Sequence, residues 1–176
     1  MKNHLIINNK TTMKTFIATI LTILSLTVFG VVIVKGITLK QNCTGYLKRA
    51  ADANTVEMAG KQLDIAVVYL EEKNLTSGYT SALWKTPDED IEFWYNNLKS
   101  AQLELSKVDS TTSTLEKTNI LMKLRETLID NGEDGEKLIV PPGLSRYPHN
   151  LLFGLLQWLA GFILIGLIVW ILIEIE

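Results

Sequence analysis

The sequence has few of the side chains that most enzymes use for catalysis. Its 176 residues include one cysteine, Cys43, and two histidines, His4 and His149, which lie near opposite ends of the chain. A single cysteine excludes an internal disulfide, and no histidine lies close enough in the sequence to activate its thiol. The Walker A, G-x-S-x-G, H-E-x-x-H and C-x-x-C patterns are missing. We therefore expect no enzymatic activity and no catalytic, cofactor-binding or metal-binding residues.

Charged side chains are missing from two long stretches. Residues 15–34 and 150–173 contain no Asp, Glu, Lys or Arg. An α-helix rises about 1.5 Å per residue, so roughly 20 apolar residues cross the hydrocarbon layer of a bilayer. We expect transmembrane helices over 15–35 and 150–173, with short tails at 1–14 and 174–176. These spans make the lipid bilayer an expected partner, and the near balance of 17 basic and 19 acidic residues excludes a nucleic-acid binder dominated by basic charge.

Two spans place both termini on one side of the membrane and the intervening residues on the other. Met13 and Lys14 precede the first run as in a signal peptide, but no small-x-small cleavage pattern follows it. We expect an uncleaved anchor with a cytoplasmic N-terminus, and hence a central domain outside the cytoplasm. A cleaved signal and the reverse orientation stay open, because lysines flank the first span on both sides.

The central residues 36–130 predict an all-α fold, with two transmembrane helices flanking a three-helix antiparallel bundle. Helix A, over 44–73, has two apolar faces, so we expect neighbours to cover both. Gly60 on this helix would let one of those neighbours approach closely. The second face consists of Val56, Ala59, Leu63, Ala66, Val67 and Leu70.

Helices B and C have recognisable starts. Thr86-Pro87-Asp88-Glu89 has capping-box spacing, and Ser113 with Glu116 repeats it before helix C over 114–130. Asn131-Gly132 is a typical helix end. Three prolines follow, so residues 131–149 are expected to form an irregular linker to the second span. The apolar stripe of helix B is Ile91, Trp94, Tyr95, Leu98, Ala101, Leu105 and Val108, which leaves Phe93 and Leu103 outside it.

An acidic segment at 130–135 resembles the start of a calcium-binding loop. Its third position is Gly132, and the position that should hold a bidentate glutamate is Pro141. Both departures remove ligands that such a loop requires. A solvated turn is the expected structure here.

The segment 74–85 is longer than a connection between two helices requires. It contains Tyr79 and Trp84, and Phe93 is expected nearby, at the membrane-distal end of the bundle. Tyrosine and tryptophan are common at binding surfaces, so these three residues form a candidate partner-binding site. The alternative is that Trp84 plugs the end of the bundle.

Polar side chains within the spans suggest how the two helices pair. Gln157 is the one amide inside the second span, at a depth that corresponds to Ser25 and Thr27 on an antiparallel first span. We predict a hydrogen bond from Gln157 to Thr27 or Ser25. Gln157 could instead pair across a homo-oligomer.

Two stretches within residues 42–105 resemble a group of known proteins. The stretch NCTGYLKRAADANTVEMA, together with NLTSGYTSALWKTPDEDIEFWYNNLKSAQLEL, resembles small bacterial membrane proteins of no assigned function. The resemblance implies a bacterial cytoplasmic membrane and transfers no functional residue. Our leading hypothesis is a non-enzymatic membrane protein whose helical domain binds a protein partner, forms a homo-oligomer or braces an envelope complex. The alternative is an extracytoplasmic ligand sensor that acts through a separate output partner.

Overall fold

The computed structural model describes residues 2–81, 83–132 and 135–175. Within that range the chain is mostly helical and forms two compact units. One unit contains the described parts of Met1–Val34 and Leu151–Glu176, and the other is the central domain, Lys35–Asn150. Several residues on which sequence predictions fell lie outside the described range: Met1, Ala82, Glu133, Asp134 and Glu176.

Two helices are long and apolar enough to cross a bilayer. Helix α1, Lys2–Leu39, contains the first uncharged run, and helix α6, Asn150–Ile175, contains the second. Their most apolar stretches have mean hydropathies of 2.6 and 2.5, and only 6% of each is buried within the protein. The central helix of a soluble domain would instead be mostly buried. The two predicted spans are confirmed as helices of suitable length and composition.

A short π-helical segment, Lys40–Thr44, follows α1 and leads into α2, Gly45–Ala51. Its wider turn brings the Lys40 carbonyl close to the next residues. A Cβ added to Gly45 would lie 2.7 Å from the Lys40 oxygen, which is closer than real side chains approach a carbonyl. The absence of a side chain at Gly45 therefore allows the turn to close.

The predicted helix A is wrong as one continuous element. The chain leaves the helix at Asp52 and resumes as α3, Val56–Glu72. Thr55 has an extended backbone, and its Oγ1 accepts a hydrogen bond from the Met58 amide at 3.2 Å. Threonine at this position is a favourable N-cap, so it starts a new helix where the apolar periodicity alone suggests continuity.

Helix α4, Ile91–Ser106, begins later than the capping box predicts. Thr86 donates to the Glu89 carboxylate from its amide and its hydroxyl, but this closes only a 3-10 turn, Pro87–Glu89. Asp90 is the N-cap of α4 itself and accepts from the Phe93 amide at 3.1 Å. The predicted stripe is confirmed: its seven side chains are buried or partly buried in the core, whereas Phe93 and Leu103 are exposed.

Helix α5, Thr114–Leu128, starts at the predicted cap, where Ser113 Oγ accepts from the Glu116 amide. The residues after it correct both the all-α class and the irregular linker. Strands β1, Ile129–Gly132, and β2, Gly135–Leu138, pair antiparallel with Ile129 opposite Leu138. Ile129, whose branched β-carbon favours a strand, is buried in the core, and Leu138 opposite it packs against that core.

The core of the central domain lies between four helical segments rather than three. Helix α2 packs on α3 and α5, while α4 contacts both α3 and α5. The three-helix antiparallel arrangement is thus not confirmed. Arg125 on α5 links the end of α2 to strand β2, because its guanidinium donates to Asp52 at 2.8 Å and to Glu136 at 2.7 Å. Trp94 Nε1 donates to the Ile139 carbonyl at 2.8 Å.

Replacing Leu63 by alanine tests the central position of α3 in this core. Leu63 is 0% exposed, so Leu63→Ala should lower the free energy of unfolding by about 2–5 kcal/mol, through lost burial and the cavity left behind. Met58 on the same helix is 57% exposed, so Met58→Ala should change the free energy of unfolding by no more than about 0.5 kcal/mol. Chemical denaturation of both variants in detergent measures the difference. Equal losses would contradict the assignment of the buried face.

Candidate functional site

The only cysteine is built into the core. Cys43 is fully buried, and burial raises the pKa of its thiol to about 12. A thiol with such a pKa holds almost no thiolate near neutral pH and is a poor nucleophile. Among the residues that the structure describes, no three metal-ligating side chains come together as a cation site.

The candidate residues of the 74–85 loop lie around Asp90. Tyr79 forms an isolated β-bridge with Asp90, and Asp90 raises the pKa of the Tyr79 hydroxyl by its charge and by a hydrogen bond. The same carboxylate caps α4 at the Phe93 amide. The ammonium group of Lys85, next to Trp84, lies 5.2 Å from the centroid of the Tyr79 ring. The backbone therefore brings the three predicted residues to one region of the domain.

Trp84 does not plug the end of the bundle. Its side chain is 75% exposed, and Phe93 is 65% exposed. The residues of the loop that do enter the core are Leu75 and Thr80, which are almost completely buried. The plug interpretation is wrong, and the loop presents its tryptophan to the outside.

The position of this loop also differs from the prediction. Gly78, with a φ of +95°, packs so closely on the Tyr147 hydroxyl that a Cβ on Gly78 would overlap it. Tyr147 belongs to the segment that leads into α6, which begins at Asn150. The loop therefore lies at the end of the central domain where the chain leaves for α6, and not at the end remote from that connection.

Within the spanning unit, one of the two predicted hydrogen bonds of Gln157 is not formed. Ser25 is only 2% exposed, and its hydroxyl has no hydrogen-bond partner among the described residues. The Thr27 hydroxyl donates to the Ile23 carbonyl of its own helix at 2.8 Å. The Gln157–Ser25 alternative is wrong because Ser25 is buried without such a bond, whereas the pairing with Thr27 stays a prediction.

An open groove with a volume of about 1080 Å³ lies between α3 and α4 of the central domain. Gly60 lies on its α3 side, and nothing described lies within 4 Å of where its Cβ would be. Ile65 and Leu103 contribute exposed apolar side chains from the two walls. The expectation that both faces of this helix are covered is therefore wrong, and the face that includes Gly60 is open.

A second, smaller hollow continues the groove along the outer face of α3. It has a volume of about 390 Å³ and shares Asp64 and Ile65 with the first. Val68, which is 49% exposed, and Tyr69 lie on its wall. Together the two hollows form a surface that follows α3, which we call the α3 groove.

Polar groups bridge the two walls of the α3 groove. The Gln102 amide donates to Asp64 Oδ1 at 2.6 Å, and Lys99 lies 3.3 Å from Glu71 Oε1. The Tyr95 hydroxyl donates to the same Glu71 oxygen at 2.6 Å. These exposed pairs add little stability individually, but they hold α3 and α4 in register. Because the lining contains Lys61 and Lys99 as well as Glu57 and Asp64, the α3 groove has no strong preference for one sign of charge.

Sequence reasoning missed the α3 groove, although one signal was present. Two apolar faces on helix A predict a neighbouring element on each face, and Gly60 predicts that one of these elements approaches closely. An apolar face that the domain itself leaves partly exposed, here the one with Met58 and Ile65, is also what an unfilled contact surface requires. Periodicity counts apolar positions and cannot tell whether their neighbour belongs to the same chain.

Tyr95 makes the stability of the domain sensitive to alkaline pH. Burial, followed by the hydrogen bond to Glu71, raises the pKa of Tyr95 from 10.0 to about 12. Its stabilising contribution is therefore complete below pH 10.0 and is lost as the pH rises through 12. Tyr95→Phe removes the hydroxyl, so the free energies of unfolding of the two proteins should converge over that range. A difference that stays constant up to pH 12 would contradict the linkage.

Comparison with known proteins assigns no role to these residues. The chain matches no protein-family model, no curated protein and no solved structure. The candidate residues are therefore assigned from their geometry and chemistry alone.

Proposed function

We propose that this chain is a non-enzymatic, two-span membrane protein whose central domain binds a helix of a partner protein in the α3 groove. The observation that carries the proposal is the open, partly apolar outer face of α3. This face offers a further helix exposed apolar side chains beside a glycine. In this proposal the membrane is the bacterial cytoplasmic membrane, and the domain lies outside the cytoplasm.

The shape of the α3 groove suits an α-helix. A helix with its side chains is about 10–12 Å wide, and close packing against another helix is easiest where the facing residue is small. Gly60 provides such a position, with open space above it. Ile65, Val68 and Leu103 then supply apolar contacts on either side. Helix-in-groove recognition uses this combination of a flat small residue and spaced apolar anchors.

The chemistry of the α3 groove favours a mixed, amphipathic partner over a small charged ligand. Fully burying an aliphatic side chain such as Ile65 contributes about 1.5–3 kcal/mol, so a few such contacts support a specific but modest affinity. The balanced charges on the rim can pair with polar residues that flank an apolar stripe. This favours protein binding over the alternative of a ligand sensor, for which the described residues offer no enclosed charged pocket.

Gly60→Leu should block the α3 groove without unfolding the domain. The leucine side chain has room, and glycine inside a helix is less favourable than alanine by about 1 kcal/mol, so stability should stay equal or rise. A photo-crosslinking amino acid at Ile65 should capture a discrete partner in intact cells. The same amino acid at Met122, which is 54% exposed on α5, should not.

The combination of the two changes decides the proposal. Gly60→Leu should abolish the crosslink from position 65, while thermal denaturation shows the protein still folded. A crosslinked product with twice the mass of the chain would identify a second copy as the partner. Equal crosslinking from positions 65 and 122, or a crosslink that survives Gly60→Leu, would contradict binding in the α3 groove.

A further inference from the structure

The 74–85 loop exposes two adjacent apolar side chains that no other part of the domain covers. Leu83 is 69% exposed and Trp84 is 75% exposed. Polar residues flank them, with Ser81 on one side and Lys85 and Thr86 on the other. Leaving a large apolar pair in water is unfavourable, so its environment in the membrane-bound protein needs an explanation.

The loop holds these side chains on a fixed base. The Thr80 amide donates to the Glu89 carbonyl at 3.1 Å, and the Ile91 amide donates to the Gly78 carbonyl at 2.9 Å. The Trp84 amide donates to Ser81 Oγ at 3.2 Å. Because Gly78 and Thr80 are hydrogen-bonded to Ile91 and Glu89, Leu83 and Trp84 project from a part of the loop that backbone hydrogen bonds hold in place.

Two contacts within the central domain show at which end this base lies. Gly78 packs on Tyr147, three residues before α6 begins at Asn150. Glu72, at the end of α3 just before the loop, shares a surface with Asn42, which follows closely after the first uncharged run. The loop therefore lies at the end of the domain where the chain enters from one span and leaves for the other.

We propose that Leu83 and Trp84 insert into the interfacial layer of the lipid bilayer and anchor the central domain to the membrane surface. The chain joins the central domain to the two predicted spans at Lys35 and Asn150, so in this proposal the end that carries the loop faces the bilayer, whichever side the domain occupies. Tryptophan is favoured at the interface because its ring is apolar and its indole N–H can bind water or head groups. Lys85 next to it can reach the phosphates.

A lipid surface fits this loop better than a protein does. A stable protein interface covers about 800 Å² on each partner, whereas the exposed apolar group here consists of Leu83 and Trp84, with only Tyr79 and Phe93 in the same region. Shallow insertion into a bilayer needs no larger apolar area. The inference does not depend on the α3 groove, which lies between different residues of the domain.

Site-specific fluorescence in proteoliposomes tests the anchor. Cys43 is buried with a raised pKa, so it should stay unlabelled while an introduced cysteine reacts. Trp84→Cys in the full chain carries an environment-sensitive fluorophore. Leu115→Cys is the matched control, since Leu115 is 71% exposed but lies at the start of α5, after the turn that follows α4. Leu83→Cys is a second probe in case the first variant folds poorly.

The vesicles contain phosphatidylcholine and phosphatidylglycerol, with or without phosphatidylcholine that carries a nitroxide high on its acyl chain. The labels at 84 and 83 should show a blue-shifted emission and lose intensity when the nitroxide lipid is present, while the label at 115 shows neither change. Solvent-like, unquenched emission from 83 and 84 would overturn the proposal and favour a protein as the occupant of this loop. Equal quenching at 115 would also overturn it.

Discussion

The reversal of the chain at residues 52–55 is the constraint on which the rest of the central domain depends. The helix that continues from the first span ends at Asp52, and the capped start at Thr55 turns α3 back along α2. This places the buried side chains of both helices against each other. It also returns the end of α3 to the level of Asn42, so the loop that follows must lie where the chain enters the domain. A continuous helix would have placed that loop at the opposite end.

The two faces of α3 have different roles because only one of them is covered within the chain. Its inner face, with Ala59, Leu63 and Ala66 fully buried, joins α2, α4 and α5 into one core. Two of these residues are small, which allows the neighbouring helices to approach closely. Its outer face keeps Ile65 and Val68 partly exposed beside Gly60. The inner face stabilises the domain, and the outer face remains open as the surface for which we propose a partner.

The α3 groove and the 83–84 pair are separate surfaces with different chemistry. The groove follows α3 and contains charges of both signs. The loop pair is small and exposed. Together the two proposals imply a domain that its own loop anchors to the membrane surface and whose groove faces other proteins beside the same membrane in a defined orientation. Holding both surfaces on one rigid core lowers the entropy lost when a partner binds.

Local chemistry allowed part of this structure to be predicted from the sequence. The two apolar runs, the cap at Ser113 and the buried stripe of α4 depend on neighbouring residues or on one helical period, so the sequence by itself determined them. The pairing of strands β1 and β2 and the location of the 74–85 loop were decided only by tertiary packing, whereas the break before Thr55 depends on a local cap that the apolar periodicity concealed. The physical reason is that an apolar residue in a periodic pattern is predicted to be buried, but the pattern does not say which other residues it packs against. Contacts between residues far apart in the chain selected which face of α3 was covered and which stayed open.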